Sequence, residues 1–185
     1  EYHGVVRWAL GWACWKTHLG RPEDDQVLLM AMSQLGNGLY EARHYEEALL
    51  VNEAELAMKR RLGLPERRML AAQGNLARTY GKLGHLELTH QLYRDVYSGR
   101  LRLDGEEHVE TLQAANNYAS SLIHLECFEE AKSLMCKTMP VARRVLGDSH
   151  DTTLRTRWIY AQTLYMDDNA TLDDLREAES TLKDT

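Results

Sequence analysis

The chain has 185 residues, of which 44% are hydrophobic and 27% are charged, and its formal net charge at pH 7 is −6. No apolar run approaches the roughly 20 residues that a membrane-spanning helix needs, so we expect no membrane insertion. The negative charge argues against a broad nucleic-acid surface, because affinity for phosphates comes largely from clustered Lys and Arg. Only three prolines and one phenylalanine occur, and this composition favours a helical protein.

The cysteines and the first residue bear on the compartment. Cys14, Cys127 and Cys136 include no CxxC pair, and an odd, sparse set is typical of a reducing compartment rather than of a disulfide scaffold. The sequence begins at Glu1 without methionine, so we expect a piece of a longer protein whose targeting segment would lie upstream. We therefore predict an intracellular protein, first of all a cytoplasmic one, with an organelle as the alternative.

Residues 1–20 are predicted to form the second helix of a truncated preceding repeat, which Pro22 prevents from continuing. Trp8, Trp12 and Trp15 (the tryptophan stripe) share one face of this helix at i, i+4, i+7 spacing. We interpret the stripe as core against the next repeat, because buried aromatic residues are usual at helix-packing faces. The alternative is a docking stripe for another segment or subunit.

A period of about 42 residues then runs along the chain. It is visible in leucines, alanines and glycines: Leu70, Leu112 and Leu154; Ala77, Ala119 and Ala161; Gly63, Gly105 and Gly147. A fixed period of 20–50 residues indicates a stack of identical small units. Apolar residues at helical spacing on both sides of short turns make each unit an antiparallel helical hairpin. Because one hairpin cannot bury its apolar face alone, neighbours must stack, and we predict an all-α solenoid.

We divide the remainder into four repeats, which with the first helix form one solenoid domain: residues 21–63, 64–105, 106–147 and 148–185. Pro140 falls inside the second helix of the third repeat, where we expect a kink or break because proline removes one helical hydrogen bond. Asp148 and Ser149 are predicted to cap the first helix of the fourth repeat. In that repeat the spacing from Ala161 to Ala178 predicts a longer turn between the helices.

Several short motifs recur at equivalent places in the repeats. They are Leu-Gly-Asp-Ser-His before Thr-Leu at 146–154, Asn-Asn-Tyr-Ala at 116–119, Phe-Glu-Glu-Ala at 128–131 and Tyr-Glu-Glu-Ala at 45–48. With the 42-residue step, they resemble tetratricopeptide repeats in the long form of kinesin light chains. The resemblance covers about residues 20–182. It implies a right-handed superhelix whose first helices line a concave groove that holds a partner's peptide or helix.

Polar residues one turn apart on the exposed side of the first helices are the candidate peptide-binding residues that the resemblance implies. They are Gln34, Asn37, Asn75, Arg78, Lys82, Gln113, Asn117, Ser120, His124, Arg155 and Gln162. Glu41 and Trp158 are further positions on the same side of these helices. An asparagine amide both donates to and accepts from a ligand backbone, and Arg78 and Lys82 suit acidic side chains or a carboxylate. The alternative interpretation is a solvated polar face.

Other patterns favour structural roles. Basic residues recur in the last turns of the second helices, where cations complement the helix dipole: Lys59, Arg60 and Arg61; Arg100 and Arg102; Arg143 and Arg144. His108 and His150, 42 residues apart, are interpreted as repeated turn residues. No phosphate loop, GxSxG or HExxH motif occurs, and the acidic segment 167–174 lacks the central glycine of a calcium loop. We predict no catalytic residue, no metal and no cofactor.

Two functions follow from these observations, and neither is enzymatic. The first is a protein–protein interaction scaffold that binds a peptide or helical segment of a partner on its concave face. The second is a structural subunit or assembly factor that docks into a larger assembly by its convex face, its terminal helices or the tryptophan stripe. Either way the expected partner is a protein or peptide and not nucleic acid.

Overall fold

The computed structural model of the chain describes residues 2–17, 20 and 26–183, with the side chains of residue 6 and of residues 8 onwards within those ranges. The helices are α1 (Tyr2–Thr17), α2 (Gln26–Glu41), α3 (Tyr45–Arg61), α4 (Glu66–Lys82), α5 (Leu86–Asp104), α6 (Val109–His124), α7 (Phe128–Leu146), α8 (Asp151–Tyr165) and α9 (Leu172–Lys183). No strand occurs in these residues, and the predicted all-α class is confirmed. The predicted stop at Pro22 lies outside the described residues.

The chain divides into two compact units, Glu1–Leu92 (unit 1) and Tyr93–Thr185 (unit 2). In unit 1, α1 packs on α2, α2 on α3 and α3 on α4. Two clusters of buried residues form its core: Leu35, Leu39 and Ala48 in one, and Leu56, Ala72 and Leu76 in the other. In each cluster a small alanine allows two helices to approach closely while the leucines fill the space between them.

Unit 2 has one continuous core. α6 packs on α7, α7 on α8 and α8 on α9, and α6 also meets α8 directly. The buried residues are Ala115, Tyr118, Ala119, Leu122, Ile123, Ala131, Met135, Ile159, Tyr160, Ala161, Leu164 and Ala178. Ala119 and Ala161 lie at positions that the 42-residue period marks as small.

The turns inside the hairpins share one backbone geometry. In the three hairpins from α2 to α7, the turn has three residues and its middle residue is left-handed: Arg43 (φ 66°), Gly84 (φ 82°) and Glu126 (φ 59°). Glycine adopts this conformation freely, whereas a side chain there costs about 1 kcal/mol. The turn between α8 and α9 has six residues, 166–171.

Pro140 does not break α7, which runs without interruption from Phe128 to Leu146, so the expected break is wrong. Proline removes the hydrogen bond to the carbonyl group of Cys136, four residues earlier. Both Cys136 and Pro140 are exposed, so water can solvate that carbonyl group. Met135 and Ala142, buried on the opposite side, hold the helix against its neighbours.

The tryptophan stripe does not belong to the core of unit 1. Trp8 is 38% and Trp12 is 47% exposed, so the interpretation as core is wrong for both. α1 meets α2 through Gly11, where an added Cβ would lie 2.7 Å from the backbone nitrogen of Leu35. Because backbones this close leave no room for indole rings, Trp8 and Trp12 lie beside the contact, and Trp8 stacks on His44 with ring centroids 6.1 Å apart.

Candidate peptide-binding faces

All eleven candidate peptide-binding residues lie on the first helices of the repeats, and none is buried. Unit 1 carries Gln34 and Asn37 on α2 and Asn75, Arg78 and Lys82 on α4, which we call the unit 1 face. Unit 2 carries Gln113, Asn117, Ser120 and His124 on α6 and Arg155 and Gln162 on α8, which we call the unit 2 face. None of these side chains belongs to the clusters of buried residues that form the cores of the two units.

On the unit 1 face an arginine joins α4 to α2. Nη2 of Arg78 donates a hydrogen bond of 2.8 Å to Oδ1 of Asn37. The guanidinium carbon of Arg78 also lies 4.1 Å from the ring centroid of Tyr40, a cation–π contact. Its Nε is buried and has no hydrogen-bond partner. The guanidinium group is therefore held on two sides by α2.

On the unit 2 face a second arginine joins α8 to α6. Nη2 of Arg155 donates a hydrogen bond of 3.0 Å to Oδ1 of Asn117. The hydroxyl group of Ser120 donates back to the carbonyl of Asn116 at 2.9 Å within its own helix. Both units thus place an arginine on the amide oxygen of an asparagine from the preceding repeat.

Asn116 and Asn117 are adjacent in the sequence and have different roles. The Asn116 side chain is buried, donates to the carbonyl of Thr152 at 3.1 Å and accepts from the hydroxyl of Thr156 at 2.9 Å. It ties α6 to α8 beneath the unit 2 face, a role that the sequence analysis missed. The available signal was its spacing: Asn116 falls on the buried stripe with Leu112 and Ala119.

Exposed apolar residues lie among the polar ones on both faces. Met30 is 65% exposed and precedes Gln34 by one turn of α2. On α8, Trp158 is 49% exposed and lies one turn before Gln162, and Tyr165 is 43% exposed and lies one turn after it. Trp158 was considered from the sequence together with Arg155 and Gln162. Met30 and Tyr165 were not predicted, although their spacing from the polar residues would have revealed them.

Four of the cations near the ends of the second helices are paired with carboxylates. Lys59 lies 2.5 Å from Glu55, Arg100 lies 3.2 Å from both Asp104 and Glu110, Arg143 lies 2.6 Å from Asp148, and Arg144 lies 2.8 Å from Glu107. By contrast, Arg78, Lys82 and Arg155 have no carboxylate partner within the described part of the chain. The positive charges of these three side chains are therefore not paired with a carboxylate among the described residues.

An acidic cleft of about 500 Å³ opens in unit 2. It is lined by Glu126, Cys127, Phe128, Glu129, Glu130, Asp167, Asp168 and Asn169. Oδ1 of Asp167 accepts from the backbone N–H of Asn169 at 2.8 Å, which is an ordinary Asx turn. Across residues 2–17, 20 and 26–183, no cluster of three His, Cys, Asp or Glu side chains is placed to hold a metal.

The α1 surface is the second candidate interface. Val6 is 52% and Leu10 is 65% exposed, beside Trp8 and Trp12. The ring centroids of Trp12 and Trp15 lie 5.3 Å apart. Among the helices described, none is long and apolar enough to cross a membrane.

Comparison of the sequence with protein-family models and with curated proteins returns no match. Solved structures do match. BtubC (BKLC) from P. vanneervenii superposes with a TM-score of 0.75 at 14% identity, over 97% of this chain and 70% of that one. A Podosopora anserina protein described as a kinesin light chain with nearly identical TPR-like repeats superposes with a TM-score of 0.72 at 21% sequence identity, over 92% of this chain and 78% of that one. A point variant of that protein superposes with a TM-score of 0.75 at 18% identity, over 98% of this chain and 93% of that one.

At these identities the likeness is one of fold. It agrees with the motifs at the starts of the hairpins and with the 42-residue period. The chain is an all-α repeat solenoid of the tetratricopeptide type, with repeats like those of kinesin light chains.

Proposed function

We propose that the chain is a protein-interaction module whose two faces bind an extended peptide or a helical segment of a partner. Repeat solenoids commonly serve as scaffolds, because stacked hairpins present long binding surfaces. The observation that carries the proposal is that Arg78, Lys82 and Arg155 have no carboxylate partner among the described residues. Four cations near helix ends, by contrast, are paired with carboxylates: Lys59, Arg100, Arg143 and Arg144.

This charge pattern favours an acidic ligand. A carboxylate next to Arg78 or Arg155 would form charge-assisted hydrogen bonds, which are shorter and stronger than neutral ones. The exposed side chains of Met30 and Trp158 lie on the same helix faces and offer apolar contacts, and buried aromatic contacts often carry much of the energy of an interface. The partner segment we propose therefore combines Asp, Glu or a terminal carboxylate with at least one apolar side chain.

Selection from a phage-displayed library of random 12-residue peptides tests the proposal. We expect the selected peptides to be enriched in Asp and Glu. Synthetic, fluorescein-labelled versions should bind the Lys82→Gln/Arg155→Gln variant at least about tenfold more weakly in fluorescence polarisation, because each lost hydrogen bond to a charged group costs about 1.5–3 kcal/mol.

The matched control is Arg143→Gln/Arg144→Gln, which removes two positive charges that are already paired at the end of α7. Its affinity should remain within about twofold of the wild type. If both double variants lost peptide affinity equally, the loss would be explained by net charge alone, and binding at the faces would be contradicted. A library that yields no binding peptide would also contradict the proposal.

A second candidate function, fixed assembly through α1, is favoured by the exposure of Leu10 and Trp12. Exposed apolar patches often mark protein interfaces. Affinity capture from the native source would compare the wild type with Leu10→Ser/Trp12→Ser and with Lys82→Gln/Arg155→Gln. A partner lost only by the α1 variant would support assembly through α1, and one lost only by the face variant would support peptide binding.

A further inference from the structure

Two asparagines of the candidate faces, Asn37 and Asn117, have the same environment. The Oδ1 atom of each accepts a hydrogen bond from an arginine of the following repeat, Arg78 at 2.8 Å and Arg155 at 3.0 Å. We infer that these asparagines act on a ligand as hydrogen-bond donors only, and that they bind carbonyl or carboxylate oxygens of the partner segment. The inference rests on the proposed function and specifies what each face recognises.

The chemistry of the arginine fixes the orientation of each amide. A guanidinium group has N–H donors and no acceptor. The amide atom that faces it must therefore be the oxygen, and the NH2 group must point elsewhere. A second N–H that approached the same oxygen would meet the positive guanidinium group. A ligand N–H is thus disfavoured at both positions.

The NH2 groups remain open to a ligand. The Asn37 and Asn117 side chains are half-buried, and neither Nδ2 atom donates a hydrogen bond within the ranges that the structure describes. Neither nitrogen is among the buried polar atoms that lack a partner. Each amide therefore presents two N–H bonds to solvent or to a ligand.

The arginines are positioning residues in this arrangement. Arg78 is held between Asn37 and the ring of Tyr40, so its guanidinium group keeps the Asn37 amide in one orientation before a ligand arrives. An amide that is already oriented loses less conformational freedom on binding. Arg155 orients the Asn117 amide in the same way, through its hydrogen bond alone.

Buried asparagines provide an internal comparison. Nδ2 of Asn52 donates to the hydroxyl of Thr79 at 3.0 Å, and Nδ2 of Asn116 donates to the carbonyl of Thr152 at 3.1 Å. Without ligand, the NH2 groups of Asn37 and Asn117 should therefore be open to solvent, whereas those of Asn52 and Asn116 should be hydrogen-bonded within the protein. This difference can be measured without a ligand.

The first experiment is hydrogen exchange of the asparagine side-chain amides, followed by 15N NMR on the wild-type chain without ligand. We expect the NH2 groups of Asn37 and Asn117 to exchange at close to the rate of a free amide. Those of Asn52 and Asn116 should exchange at least tenfold more slowly, because they are buried and hydrogen-bonded. Slow exchange at Asn37 and Asn117 would overturn the inference, whatever the fate of the proposed function.

The second experiment measures the affinity of a labelled 12-residue peptide obtained in the library selection. Asn37→Asp and Asn117→Asp keep an oxygen facing the arginine and remove the NH2 group, whereas Asn37→Ala and Asn117→Ala remove both. We expect each Asp variant to bind roughly tenfold more weakly, about as weakly as the matching Ala variant.

The controls are Gln91→Glu in unit 1 and Asn169→Asp in unit 2. Each makes the same change of charge at an exposed residue outside the two faces, with no arginine contact among the described residues. Their affinity should change by less than about threefold. An equal loss in these controls would overturn the inference, because charge alone would then explain the effect.

The remaining outcomes separate the inference from the proposed function. If the Ala variants lose affinity and the Asp variants keep it, the asparagines act as acceptors. The faces then bind the peptide, and the inference fails. If the Ala variants also keep full affinity, the peptide binds elsewhere, and the proposed function fails at these faces together with the inference.

Discussion

His108 and His150, 42 residues apart, cap the first helices of two successive repeats in the same way. Nδ1 of His108 accepts from the backbone N–H of Glu110 at 3.2 Å, and Nδ1 of His150 accepts from that of Thr152 at 3.1 Å. The prediction that Asp148 and Ser149 cap α8 is wrong, because α8 begins only at residue 151 and its N-cap is His150. The histidines interpreted from the sequence as turn residues are therefore N-caps.

Replacing either histidine should destabilise unit 2. We expect His108→Ala and His150→Ala each to lower the free energy of unfolding by about 1 kcal/mol, the usual effect of losing an N-cap. His108→Asn and His150→Asn should retain most of the stability, because the amide oxygen can accept the same hydrogen bond. Urea unfolding followed by circular dichroism measures these differences.

His124→Ala is the control for the histidine series. His124 is exposed on α6 and caps no helix, so its loss should change stability by less than about 0.5 kcal/mol. Equal destabilisation by the Asn and Ala variants at residues 108 and 150 would contradict the capping role.

Glu55 and Lys59 form a buried ion pair at 2.5 Å in α3, and Glu55 also accepts a hydrogen bond from Ser33 on α2. Glu55 is fully buried and its Oε2 has no partner. Lys59→Met would leave this carboxylate without its cation, so we expect a loss of about 3–5 kcal/mol. Glu55→Val/Lys59→Met should recover most of that loss in thermal unfolding, because no unpaired charge is then buried.

An exposed pair provides the matched control for Glu55 and Lys59. Glu179 and Lys183 have the same i, i+4 spacing and the same 2.5 Å separation, and both are mostly exposed. Lys183→Met should therefore cost less than about 1 kcal/mol. If the two Met variants were equally destabilised, burial would not be the cause.

Two helical glycines should respond to alanine in opposite directions. At Gly36 an added Cβ would clash with Oδ1 of Asn52, whereas nothing lies within 4 Å of the corresponding position at Gly74. We expect Gly74→Ala to stabilise unit 1 by roughly 0.5–1 kcal/mol, because alanine loses less entropy than glycine in a helix. Gly36→Ala should destabilise it by roughly 1–3 kcal/mol. Stabilisation by both, in urea unfolding, would contradict the close packing at Gly36.

The Tyr118 hydroxyl group should ionise at a higher pH than that of an ordinary tyrosine. Burial and its 2.7 Å hydrogen bond to Glu130 raise the pKa of Tyr118 to about 12. Because this folded-state pKa lies above the ordinary value near 10, the associated stability is complete below pH 10 and is lost as the pH rises towards 12. Absorbance titration at 295 nm should show one tyrosine fewer ionising at high pH in Tyr118→Phe. If the tyrosine lost in Tyr118→Phe were one that ionises near pH 10, the raised pKa of Tyr118 would be contradicted.

The local and periodic features of this protein could be read from its sequence. The motifs at Tyr45 and Phe128 mark the first residues of α3 and α7. The small residues Ala77, Ala119 and Ala161 are fully buried where helices meet. These features were predictable because helix starts depend on neighbouring residues and because a repeated hairpin repeats its apolar spacing.

The sequence predicted where the residues of the candidate faces lie on the helices, but not which of them contact one another. The sequence placed Asn37, Arg78, Asn117 and Arg155 on the exposed sides of first helices; in the structure Arg155 is exposed and the other three are half-buried. Their pairing across 41 and 38 residues depends on how successive helices are rotated and offset. The expectation that these asparagine amides both donate and accept did not account for that pairing.

Sequence alone therefore determined the repeat length, the all-α class and the hairpin architecture, since each follows from spacing along one helix or one period. Tertiary structure decided which polar residues meet one another. Successive residues of a helix point about 100° apart. Asn116 thus lies in a buried hydrogen-bond network while Asn117 lies on the open face, and Trp12 lies exposed beside a helix contact that Gly11 makes.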